Sequence, residues 1–359
     1  MMGCLAKPRK AAGFRALALA LFLCSCGSDG TTNGGGGPVV LPSPTPTPTP
    51  IPTPTPPPKP ASVERTIATT TINPAISTTY GAVITINPDP GAVPKERLFV
   101  MLPGTGGTPN VQRLILRAGI ARGYHVIGLP YRNETTVADY CIGISDVNCT
   151  GNVRREIITG ADTSGQIVVD STNSIFGRLT RTLGYLNTTY PTEGWGRFLA
   201  GGAVDWSVVT VAGHSQGSGH AAYMGKLYSL DRLVMFSGPS DIGTGNGASA
   251  AWLSLPNITP ASRQYGFTHT ADELVPYALV LNNWGLIGLG SFGVPVSVDG
   301  ASPPYGNSRQ LTTSAAYNPS APNAITYPYH LATVLDTFVP LTAQRAPVYS
   351  HVWEYLAFP

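Results

Sequence analysis

Gly213-His214-Ser215-Gln216-Gly217 is the feature that most limits what this chain can fold into. Residues 206–212 before it are a β-branched apolar run that reads as a buried strand. Residues 218–228 after it are rich in small residues and helix formers. A strand that passes straight into a helix across five residues needs a sharp turn, with the serine in a strained backbone conformation. Glycine at 213 and 217 fits this, because a Cβ at either position would meet the neighbouring strand or helix. Ser215 then projects into a cleft with a helix N-terminus behind it. The plainer reading is a Gly-rich turn with a passive serine.

Lys7, Arg9, Lys10 and Arg15 flank or precede the apolar run 16–23, which is too short to span a bilayer. Leu23-Cys24-Ser25-Cys26 follows. The pattern resembles a bacterial lipoprotein signal over residues 1–25, with the lipid on Cys26. Leu23 is too bulky for the cleavage position before Cys24. An ordinary secretory signal is the alternative. Gly27 stands where an aspartate would retain a lipoprotein at the inner membrane, so the resemblance implies lipid anchoring at the outer membrane. Residues 26–61, Gly-rich and then Pro-Thr-rich, cannot bury a core and read as a disordered, semi-rigid stalk.

Of the five cysteines, Cys141 and Cys149 remain outside this segment. In an oxidising compartment they are expected to pair. The bridge would contribute about 2–3 kcal/mol. No metal site is expected there, since no histidine or further cysteine is near. Net charge is +3, with no basic cluster beyond the signal, so nucleic acid has no footprint. Only 11% of residues are charged, against 41 glycines and 34 prolines, which suits a loop-rich extracytoplasmic enzyme.

Residues 62–359 suit one α/β domain. Strands are expected over 66–71, 79–87, 97–102, 124–129, 206–212, 233–237, 264–269 and 324–327. Helices are expected over 111–122, 175–190, after Ser215, and over 348–356. The alternation predicts a doubly wound, mostly parallel sheet flanked by helices.

A serine hydroxyl needs a base to take its proton, and the base needs an acid to fix its tautomer. Asp272, directly after the 264–269 strand, is the expected acid; Asp241, after the preceding strand, is its rival. Of the six histidines, only His330 and His351 follow Asp272. His330 is the expected base, because His351 falls in a terminal amphipathic helix. His125 reads as a buried strand residue, and His214 as a cleft residue without proton transfer. Glu273 would point elsewhere. An oxyanion hole would use the Gln216 N–H and a second from Pro103-Gly104-Thr105-Gly106-Gly107, with Thr105 the expected donor. No Lys-Ser/Thr follows that loop, which rejects a P-loop.

These motifs resemble the α/β-hydrolase superfamily over residues 95–359. The elbow, residues 190–195 and residues 232–241 are similar to a group of secreted bacterial serine hydrolases of unassigned function. The resemblance implies Ser215, His330 and Asp272 as a triad and no cofactor. One departure is the oxyanion loop, which is not the His-Gly-Gly-Gly of many esterases. The expected activity is hydrolysis of a small or polymeric carboxylic ester. A peptidase, an acyltransferase or a stalked binding protein with an idle site are the alternatives. The apolar stretch 282–292 is either a lid or a packed loop.

Overall fold

The structure is a computed structural model that describes residues 62–243 and 247–359. The signal, Cys26 and the stalk lie outside the described residues. Nine strands form one sheet: β1 (Glu64–Ile67), β2 (Val83–Ile86), β3 (Leu98–Leu102), β4 (His125–Gly128), β5 (Val209–His214), β6 (Arg232–Phe236), β7 (Gln264–His269), β8 (Val296–Ser297) and β9 (Gln310–Thr313). Their spatial order is β1-β2-β4-β3-β5-β6-β7-β9-β8. From β4 to β8 every neighbouring pair is parallel; β1 and β2 pair antiparallel at one edge.

Parallel strands are covered on both faces, so they read as continuous apolar runs. Side chains alternate between two cores. Leu98, Val100 and Leu102 face one, with Val209, Val211, Leu233 and Met235. Helices α3 (Cys149–Thr159), α4 (Ile175–Thr189), α5 (Gln216–Leu227) and α6 (Tyr277–Ile287) supply residues to that side. Phe99, Met101, Val234 and Phe236 face the other core, with α1 (Arg113–Ala121) and α8 (Ser350–Ala357). The sheet is therefore doubly wound, as the alternation predicts.

Several expected boundaries shift. Residues 66–71 hold the end of β1 and then a helical turn, Thr69–Ile72. Residues 206–208 are a 3₁₀ turn, and the elbow strand starts at Val209. The strand expected over 324–327 is irregular; Ile325 and Tyr327 pack a small cluster with Ala321, Leu331 and Phe338 instead. The strand next to β7 is β9, which sequence reasoning missed because three of its four buried residues, Gln310, Thr312 and Thr313, are polar. Gln310 donates to Gly293 O at 2.9 Å, and Thr313 donates to Asp299 at 2.5 Å, so hydrogen bonds rather than apolar side chains satisfy them.

Also missed were α2 (Val137–Tyr140) and α3. Cys141, just past α2, is bonded to Cys149, which opens α3, with Cα atoms 5.8 Å apart. The stretch 282–292 is packed and is not a lid. Trp284 Nε1 donates to Gly238 O at 2.9 Å, Asn283 Nδ2 to Pro239 O at 2.9 Å, and both side chains are buried. Glu193, within the 190–195 segment, pairs with Arg65 at 2.6 Å and accepts from Trp195 Nε1 at 2.7 Å, an edge clamp on β1.

Candidate active site

Leu102 pairs with Gly213, His214 with Phe236, and Phe236 with Phe267. The C-terminal ends of β3, β5, β6 and β7 thus lie side by side. The loops leaving them meet at one edge, where open α/β sheets bind ligands.

Ser215 leaves β5 with φ 54° and ψ −118°, a region that disfavours side chains. Its N–H donates to Phe236 O at 2.9 Å, which fixes the turn. A Cβ on Gly213 would strike the Gly217 carbonyl, and one on Gly217 would strike the carbonyls of Leu102 and Pro103. Both glycines are therefore steric requirements of the elbow.

His330 lies in the short helix α7 (Pro328–Leu331). Its Nδ1 is 2.8 Å from Asp272 Oδ2. The other oxygen, Oδ1, accepts the N–H groups of Leu274 and Val275 at 2.9 and 2.8 Å. The His330 main chain is fixed as well. Glu273 accepts the N–H groups of Tyr329 and His330 at 3.2 and 3.1 Å, satisfying donors at the start of α7. The His330 carbonyl accepts from His214 Nε2 at 3.0 Å and from Ser237 Oγ at 2.8 Å. Burial first, and the neighbouring His330 second, push the His214 pKa down to about 3, so its ring is neutral near pH 7 and donates through Nε2.

With Nδ1 taken, Nε2 of His330 is the nitrogen left for the serine. Ser215 and His330 line one cleft of about 1060 Å³. Among the described residues no hydrogen bond joins Ser215 Oγ to His330, a contact that often tightens only with substrate bound.

The rival acid is committed elsewhere. Asp241 accepts from Arg154 Nε and Nη2 at 2.7 and 2.6 Å, with both side chains buried, and from Trp252 Nε1 at 3.3 Å. Arg154 Nη1 also donates to Gln216 O at 3.1 Å, tying this pair to the first turn after the elbow.

Gln216 is the first residue of α5, so its N–H has no partner within the helix. In the loop after β3, the Gly106 N–H donates to Asn133 O at 2.9 Å and the Gly107 N–H to Gly104 O at 3.0 Å. The Thr105 N–H makes no hydrogen bond among the described residues, while its hydroxyl donates to Gln216 Oε1 at 3.1 Å. Asn133 Nδ2 donates to Gly104 O and Gly107 O at 2.7 and 2.9 Å, and Tyr131 donates to Pro103 O at 2.7 Å. Asn133, Tyr131 and Arg154 were not found from sequence, and Glu273, expected to point elsewhere, instead anchors the start of α7 beside His330. Asn133 and Tyr131 follow β4 at the same sheet edge, a placement that could have signalled them.

The other histidines stand apart. His125 is buried in β4 and bonds Glu193 O at 2.7 Å. His220 is buried against Tyr131. His269 bonds Ala315 O at 3.0 Å. His351 sits exposed on α8.

The doubly wound sheet and its strand–turn–helix elbow have the architecture of an α/β hydrolase. No family model matches the chain, and no curated protein matches it either. Among solved structures, an α/β serine hydrolase from Xanthomonas campestris, described as having no lid, aligns over 70% of this chain and 82% of its own. Identity is 14% and the TM-score 0.34.

Proposed function

We propose that this chain is a serine hydrolase that cleaves carboxylic esters through Ser215, His330 and Asp272. The observation that carries the reading is the buried His330–Asp272 hydrogen bond, set on the same cleft as an elbow serine. Ser215 Oγ attacks the ester carbonyl carbon while His330 Nε2 takes its proton. Asp272 holds Nδ1–H and stabilises the imidazolium. The oxyanion faces the N–H groups of Gln216 and Thr105. As the C–O bond breaks, the departing alkoxide takes the proton from His330. Water then attacks the acyl-enzyme, again giving a proton to His330, which returns it to Ser215. One ester and one water yield one acid and one alcohol.

Val111, Val137, Ile242, Leu279, Leu331 and Leu335 are among the cleft residues, and the only carboxylate and guanidinium lining it among the described residues, Asp241 and Arg154, neutralise each other. Such a wall suits an uncharged substrate. The signal-like N-terminus supports a lipid on Cys26 and display from the outer membrane. Loss of labelled-fatty-acid incorporation in Cys26→Ala tests that part.

A fluorophosphonate probe followed by peptide mapping tests the chemistry. Labelling at Ser215 that disappears in His330→Ala is expected. A folded protein whose Ser215 stays unlabelled would sink the reading.

A further inference from the structure

A polar group buried in an apolar wall costs free energy until a partner satisfies it. Gln112 lines the cleft and is 1% exposed, yet neither Oε1 nor Nε2 has a hydrogen-bond partner among the described residues. It is held in place. Asp336 donates its N–H to Val111 O at 2.9 Å, and its carboxylate accepts the N–H groups of Arg113 and Leu114 at 2.9 and 3.0 Å. The main chain is therefore pinned on both sides of Gln112. The neighbouring cleft residues Val111, Leu331 and Leu335 are apolar.

Thr150 repeats the situation on another wall. It also lines the cleft, is 3% exposed, and its Oγ1 has no partner among the described residues. It stands one turn before Arg154 on α3, and the cleft is also lined by Val137, whose N–H donates to Gln216 Oε1 at 3.2 Å. The disulfide beside it fixes the start of that helix.

Neither residue belongs to the proposed triad or oxyanion hole, and neither side chain hydrogen-bonds to the fold among the described residues. A plain hydrocarbon chain would leave both unsatisfied. A carboxamide offers a donor and an acceptor, and a hydroxyl offers both; these match neutral carbonyl and hydroxyl oxygens rather than ions. We infer that Gln112 and Thr150 are recognition residues for a neutral substrate bearing further ester oxygens along the chain, an oligoester rather than a fatty acyl ester. This rests on the ester-hydrolase reading.

The test compares an oligoester of a hydroxyalkanoic acid with an alkyl fatty ester of equal chain length and one central ester, following acid release. The protein should favour the oligoester in kcat/KM, per scissile bond, by about tenfold or more. Gln112→Leu and Thr150→Val should each pull that ratio toward one. They lie on different elements, so either can be read if the other fails to fold. Equal kcat/KM for the two esters, or a ratio that both substitutions leave intact, overturns the inference alone. Hydrolysis of neither ester by a protein unlabelled at Ser215 overturns the hydrolase reading beneath it.

Discussion

Asp272→Asn separates the two candidate acids, and the structure dictates how. Asp272 Oδ1 accepts two main-chain N–H groups, and only an oxygen can do that. An asparagine must therefore keep its carbonyl there and turn its NH₂ toward His330 Nδ1. Facing a donor, Nδ1 must become the acceptor, so the imidazole proton moves to Nε2. In that tautomer His330 cannot take the Ser215 proton. The expected loss is about 10⁴ in kcat, or about 5 kcal/mol of barrier, with the fold intact. Asp241→Asn should behave in the opposite way. It leaves Arg154 buried with half of its ion pair, which costs about 3–5 kcal/mol of stability. Turnover of the folded fraction should stay within about tenfold. Urea unfolding and single-turnover acylation, measured on both variants, check the pair. A folded Asp241→Asn that loses several decades while Asp272→Asn stays active would refute the assignment.

Three further outcomes follow from the same contacts. Thr105→Ala removes the hydroxyl and keeps the N–H, so kcat should fall less than about tenfold; a loss of about 10²–10³ would make the hydroxyl the oxyanion donor. Burial pushes the His125 pKa down to about 4, and burial with His330 nearby pushes that of His214 to about 3, against about 6.5 unfolded. The folded state thus binds fewer protons below pH 6.5, so stability holds above that pH and falls as the pH drops toward about 4, by about 3 kcal/mol for His125 alone. Urea midpoints that stay flat from about pH 7 to about pH 4 would contradict this. Reducing Cys141–Cys149, or replacing both by serine, should lower stability by about 2–3 kcal/mol in unfolding measurements. An unchanged melting temperature would show that the bridge closes no costly loop.

The legible parts of this chain are those where one residue type answers one physical demand. Buried parallel strands announce themselves as apolar runs, so β3, β4, β6 and β7 were readable to within a residue or two. The two elbow glycines were readable because only a missing Cβ clears the crossing carbonyls. The pairing of Asp272 with His330 followed from order and strand position. What stayed hidden depends on pairing at a distance. The polar strand β9 satisfies its burial by hydrogen bonds, which hydropathy does not register. Helix α3 buries Arg154 and Glu156, both charged, and so lacks an apolar stripe wide enough to read. Its partner acid, Asp241, lies 87 residues away.

The same distinction separates the proposed reaction centre from its walls. His330 is held at Nδ1, at its N–H and at its carbonyl, by Asp272, Glu273, His214 and Ser237, so its ring has one nitrogen left to use. The loop after β3 is held by Tyr131 and Asn133, which leaves the Thr105 N–H unspent among the described residues. Each contact removes an alternative, and what remains are the atoms that the proposed acyl transfer would use. On the walls, Gln112 and Thr150 have fixed backbones and side chains unspent among the described residues. Under the proposed ester hydrolysis, groups left over at the centre would define the chemistry, and groups left over on the walls would define which ester enters. Substituting the former should change kcat across all esters, and substituting the latter should change the ranking among them.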